Sequence, residues 1–322
     1  MDDQPAIVRF NWALWDVIVW WRKLNILVYV AFIAMLCWNR RHPVNHQHDP
    51  SKDLKGSYFT LILAMSVVDL VNLLMNFLDE VVNWIAAKEW LRFLLTYDAY
   101  WLWFPTFVLH SMVKINFLLV TCIGMNRFTA VVLPAKHDTV WLKYTRWTIF
   151  GSCVIGTLSS FSMTRHTLFM VWPGRNRTSG TVWNETLAGD SYTANKIYVD
   201  GRSNEPWNTI DNTITAVLTM IVFAVCVLIY LIIFVKLRKH FKETTANSDQ
   251  RNIHSAALRL TLVGVIFTLP AVQFNVWYLQ KAFMPMQYWV YMLPFYMIIS
   301  TVNFTQNPYT VTLLSKEIRK GV

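Results

Sequence analysis

Two groups of charged and polar residues interrupt long apolar tracts, and their types restrict the chemistry on offer. The first ends the stretch "VKINFLLVTCIGMNRFTAVVLPAKH", which is oil as far as Met125 and then carries Asn126, Arg127 and, further on, Pro134. An ionised side chain costs about 2.5–3.5 kcal/mol at the centre of a membrane helix and less towards its ends. From the residues alone, Arg127 reads as an ordinary positive charge at an inner membrane surface. The second group is "LHSMVKIN", which sets His110 and Lys114 four apart on one helical face. Lys114 lies about 20 Å outward of Arg127 at a helical rise of 1.5 Å per residue, too deep for easy snorkelling. It reads either as a cation paired with backbone carbonyls or another helix's polar group, or as a contact for an anionic or carbonyl-bearing ligand. In the second reading Trp103, Phe107, Trp277 and Tyr296 join His110 and Lys114 as walls of an outward-facing pocket; the alternative for such aromatics is packing or an interface belt.

The elements that must position these groups are membrane helices. Of 322 residues, 55% are hydrophobic and only 15% charged, against about 25% charged in a soluble domain. A span needs about 20 mostly apolar residues, and seven runs qualify, near 18–38, 58–78, 101–126, 146–164, 212–235, 257–279 and 287–311. The first is the least clean, because Arg22 and Lys23 have to snorkel to the outer surface beside Trp20 and Trp21. The runs are continuous rather than alternating, which selects helices over a β-barrel. Positive residues gather after runs one, three, five and seven, so the positive-inside rule puts the N-terminus outside and the C-terminus in the cytoplasm. The long loop at 171–207 is then extracellular, and it holds two glycosylation acceptors, Asn176 and Asn184. "TLLSKEIRK" after the seventh run reads as a short amphipathic helix on the inner surface. The fold expected is an all-α seven-transmembrane bundle, one domain over 1–322. A segment that inserts as its own signal, rather than a cleaved leader, fits the acidic "MDDQPAIVRF" start.

Several functions are excluded. The net charge of +10 sits in clusters between apolar runs, with no aromatic-and-basic repeats, so nucleic acid is not a partner. His42, His46 and His48 lie in an inner loop with no fixed metal geometry, and no metal site is expected. The four cysteines lie within apolar runs as small buried hydrophobes. No nucleophile elbow, phosphate loop or zinc helix is present, so the chain is not read as an enzyme. A channel or transporter with a polar path through Asp69, Lys114, Asn116 and Asn303 is the alternative, but the fifth run contributes almost nothing to such a path.

The stretch "CIGMNRFTAVVLPAKHDTVW", an Arg at a helix end followed by a short basic loop with Pro134, resembles the third helix of seven-helix G protein-coupled receptors. "NRFTAVVLPAKHDTVW" is more narrowly similar to the nematode serpentine chemoreceptors of the gamma superfamily, including the V-type class. The resemblance implies that Arg127 holds the bundle closed and meets a heterotrimeric G protein when it opens, and that the receptor sits in the plasma membrane of sensory neurons. It implies a buried carboxylate at Asp69 in "SVVDL", joined by Asn116, Asn303 and Asn307 in a hydrated hub with room for Na⁺. The blander reading of that hub is a set of interhelical hydrogen bonds, each worth about 0.6 kcal/mol. Pro270 and the Asn307-Pro308 pair imply kinks in helices six and seven. This chain departs from the rhodopsin-like pattern at Asn126, usually acidic, at Val311, usually Tyr, and at Thr268, usually Trp; the outer disulfide cysteines are missing. The expected function is a chemoreceptor for a small molecule, signalling to a G protein; a homo- or hetero-dimer is left open.

Overall fold

A computed structural model describes residues 6–41, 56–87, 100–161, 166–171, 198–203, 207–243, 266, 276 and 289–314. Pro270, Trp277, Asn176, Asn184, Arg165 and the tail Ser315–Lys320 lie outside the described residues, as does nearly all of the sixth run. The described chain forms α1 (Ala6–Arg41), α2 (Ser57–Ala87), α3 (Tyr100–Val132), α4 (Pro134–Ser159), β1 (His166–Val171), β2 (Tyr198–Ser203), α5 (Trp207–Glu243) and α6 (Trp289–Leu314). Among the described residues, four stretches are long and apolar enough to cross a membrane: Ala13–Trp38, Ser57–Leu78, Phe107–Val132 and Thr213–Leu237. They coincide with runs one, two, three and five; α4 and α6 carry runs four and seven.

Central α3 packs against α2, α4 and α5, while α1 packs against α2 and α6. Leu61, Ile62, Phe117, Leu119, Ile123 and Ile233 fill the space between them. Large apolar side chains also face outward, among them Leu142 at 81% exposed and Val235 at 65%. An apolar outside around an apolar inside suits hydrocarbon rather than water as solvent.

Four expectations are corrected. The basic loop expected around Pro134 is a single non-helical residue, Leu133 (φ −129°, ψ 54°), with Pro134 opening α4. Proline suits the first helical turn, where its missing N–H would have had no partner, so the basic residues Lys136, Lys143 and Arg146 ride on helix instead of loop. Run four stops at Ser159 rather than 164, and His166 starts a strand. Part of the long loop is thus an antiparallel hairpin, with His166 opposite Ser203 and Val171 opposite Tyr198. The helix break that Asn307-Pro308 invites does not occur, since α6 runs helical through both to Leu314; neighbouring side chains re-satisfy the backbone group that proline frees in such settings.

Arg22 is the fourth correction, since it turns into the bundle instead of snorkelling. Its Nε and Nη2 donate to Thr301 Oγ1 (3.3 and 3.1 Å) and its Nη1 to Asn76 Oδ1 (3.2 Å). Lys23 pairs with Glu80 at 3.5 Å and lies over the Trp20 ring. Adjacent Trp21 donates to Thr305 Oγ1 and stacks on Tyr309. The first and last described helices are therefore joined by polar contacts as well as by packing.

Candidate switch and polar hub

α2 and α3 bring the first cluster together at mid-bundle. Asn116 Nδ2 donates to Asp69 Oδ1 at 2.5 Å, and Tyr29 of α1 donates its hydroxyl to Asp69 Oδ2 at 2.9 Å. Asn307 of α6 donates to Ser66 Oγ at 2.8 Å and also reaches Asp69. Asp69, Tyr29, Ser66, Asn116, Asn303 and Asn307 are all buried. Among the described residues, Asn307 Oδ1 and Asn303 Nδ2 find no hydrogen-bond partner. Buried polar atoms in that condition are commonly met by water. Asp69, Asn116 and Asn307 come together, Tyr29 and Ser66 enlarge the group, and Asn303 is buried on α6. Nothing in an apolar run marks one Tyr or Ser for such a role; the i, i+3 relation of Ser66 to Asp69 was the available signal.

The second cluster surrounds the end of α3. Asn126 Nδ2 donates to Ser57 Oγ at 2.8 Å. The guanidinium carbon of Arg127 stands 3.3 Å from the centroid of the Tyr58 ring, and Tyr58 is buried. The Tyr230 hydroxyl on α5 lies within electrostatic reach of both. One turn on, Lys236 Nζ of α5 donates to Val132 O at 2.9 Å. Val132 ends α3, so a cation here meets the carbonyls and the negative pole of a helix C-terminus.

Thr129 Oγ1 ties the elbow together. It takes the Trp141 indole N–H at 2.6 Å and lies 3.0 Å from His137 Nδ1. Burial holds the His137 imidazole below its ordinary range; Asp138 pulls it up and Arg127 pushes it further down. A lowered folded value means the unfolded chain binds more protons just below pH 6.5. The stability that neutral His137 contributes is present above pH 6.5 and lost as pH falls through the folded value. The protein should therefore melt at a lower temperature at pH 5.5 than at 7.5, and His137→Gln should flatten that slope. Glu80, raised by burial against the pull of Lys23, acts in the opposite direction, so the variant is compared with its parent at each pH. An unchanged slope would mean that His137 does not set the acid sensitivity.

Lys114 takes the blander of its two readings as far as its contact goes. It is 0% exposed, and its Nζ donates to Ser159 O, 2.9 Å away, at the last turn of α4. This is the counterpart of Lys236 on Val132: a cation from one helix closing the C-terminus of another. His110 and Phe107 are half-buried on the same helix. Trp103 and Tyr296 lie on α3 and α6. Trp277 lies outside the described residues.

A comparison with curated proteins finds no match. The family model for the serpentine type 7TM GPCR chemoreceptor Srv matches residues 23–171 and 191–322. These two segments contain most of the hub, the Arg127 cluster and the α3–α4 elbow. The chain belongs to the Srv family of serpentine 7TM G protein-coupled chemoreceptors.

Proposed function

We propose that this multi-pass membrane receptor binds a small molecule among the outer ends of its helices and signals to a heterotrimeric G protein through its Arg127 end. Its family is one of receptors rather than enzymes. In this reading the N-terminus is outside and seven helices cross the plasma membrane of a sensory neuron. Trp103, Phe107, His110, Lys114, Trp277 and Tyr296 are the pocket residues, and Asn176 and Asn184 carry glycans. Ligand prefers a bundle whose inner ends are splayed, and the population moves by that difference in affinity.

The observation that carries the proposal is the setting of Arg127. A guanidinium sits at the end of the central helix, on the face of a buried aromatic ring, beside the Asn126–Ser57 bond that joins the same two helices. Arg127 is half-buried there, so parting of the helices would uncover more of its charge to the cytoplasm. Na⁺ fits the hub as a further proposal: Asp69 would supply charge, and the unmet Asn307 Oδ1 and the Ser66 oxygen would be neutral ligands.

Arg127→Ala is expected to abolish ligand-stimulated guanine-nucleotide exchange while leaving surface expression near the parent's level. A ligand-evoked current in membranes without G protein, unaffected by the substitution, would favour a channel and overturn the proposal.

A further inference from the structure

Position 126 is an amide, so Arg127 has no carboxylate beside it at the preceding position. The Tyr58 ring lies against it. We propose that Tyr58 is the seat of Arg127 in the closed bundle, an aromatic latch between α2 and α3 that does the work of an ion pair. The inference rests on the reading of Arg127 as the switch.

Three observations carry it. The guanidinium carbon lies 3.3 Å from the Tyr58 centroid, well inside the about 6 Å within which a ring's negative face attracts a cation. Other cation–ring contacts among the described residues are looser, at 5.9 Å for Arg22 on Trp15, 5.1 Å for Lys23 on Trp20 and 5.3 Å for Lys143 on Tyr144. Burial matters as much as distance. Tyr58 is 6% exposed whereas Trp20 is 71% exposed, and the attraction strengthens when water is excluded. Register completes the case. Asn126 bonds Ser57 and Arg127 covers Tyr58, so two consecutive residues of α3 meet two consecutive residues of α2. The amide bond fixes where the α3 backbone stands, and the ring then receives the charge.

A ring serves here for a physical reason. A buried carboxylate would need full desolvation, and its pairing would have to offset that cost. The face of Tyr58 requires no second ion to be buried. It holds the guanidinium close and releases the cation without leaving an orphaned anion behind. The latch therefore sets the weight of the closed state at little structural cost to the open one.

The test uses the full chain in nanodiscs, with Cys37, Cys122, Cys153 and Cys226 replaced and spin labels at exposed Val67 of α2 and Met125 of α3. Tyr58→Phe keeps the ring and should reproduce the parent's distance distribution. Tyr58→Leu should raise the long-distance population about tenfold, and Arg127→Gln should do the same. Basal nucleotide exchange on added G protein should rise with Tyr58→Leu but not with Arg127→Gln, which lacks the coupling residue. Parent-like distances in Tyr58→Leu would overturn the latch. Where that variant does not yield monodisperse protein, parent-like distances in Arg127→Gln overturn it instead. Longer distances without added exchange would keep the latch and refute coupling to a G protein.

Discussion

Asp69→Leu is expected to remove most of the receptor from the cell surface and to lower its melting temperature sharply. The substitution strands two buried donors, the Tyr29 hydroxyl and the Asn116 amide, which now close on the two carboxylate oxygens. Ordinary interhelical hydrogen bonds in membrane bundles are worth about 0.6 kcal/mol on average. Leaving a buried donor without an acceptor costs roughly 1–3 kcal/mol. The second figure governs here, because Tyr29 and Asn116 lie on different helices and both are buried. Asp69→Asn retains one carbonyl oxygen and should fall between parent and Leu. It should also erase any dependence of the ligand response on Na⁺, measured by exchanging Na⁺ for an organic cation. A melting curve for Asp69→Leu that overlays the parent's would mean the network is dispensable.

Gly156→Ala should have the other large effect, despite adding a single methyl group. A Cβ at Gly156 would come within 2.9 Å of the Ile115 backbone nitrogen and 3.2 Å of its Cα. Backbone cannot rotate aside as a side chain does, so α3 and α4 must separate. Overpacking of this kind costs typically about 1–3 kcal/mol. The consequence extends to Lys114, next to Ile115, whose bond to Ser159 depends on the close approach of the two helices. Gly151, five residues earlier on α4, is the internal control, since nothing lies within 4 Å of a Cβ there. Gly151→Ala should be neutral or mildly stabilising through helix propensity. Equal melting temperatures for the two alanine variants would show that the close approach at Gly156 contributes nothing.

What could be read from the residues was decided by polarity. Asp69, Asn116, Asn303 and Asn307 stood out because each is costly in hydrocarbon; all four are buried, and hydrogen bonds tie Asn116 to Asp69 and Asn307 to Ser66 beside it. Lys114 was legible as a buried cation needing oxygen, and a helix-end carbonyl is what it finds. Arg127 was visible as a charge at a helix end, but Tyr58 was not visible as its seat. A tyrosine in an aromatic-rich membrane chain looks the same whether it packs, lines an interface or takes a cation. Arg22 was misplaced for a related reason. Snorkelling is the default for a charge near a span's end, and only the arrival of Thr301 and Asn76 from other helices makes the inward path better. The elbow at Leu133 was hidden because proline marks a loop and a helix start equally well.

The bonds from Arg22 and Trp21 to Thr301 and Thr305 have a consequence for biosynthesis. The acceptors lie 279 and 284 residues downstream of their donors. At a synthesis rate of about 5–20 residues per second, the opening helix waits roughly 15–60 s in the bilayer before its final neighbour exists. Until then the guanidinium has Asn76 to rest against, or it must seek headgroups and water. A nascent chain that stalls before Trp289 would present this unfulfilled cation to the machinery that inspects immature membrane proteins, so the last helix acts as the receipt for a finished chain.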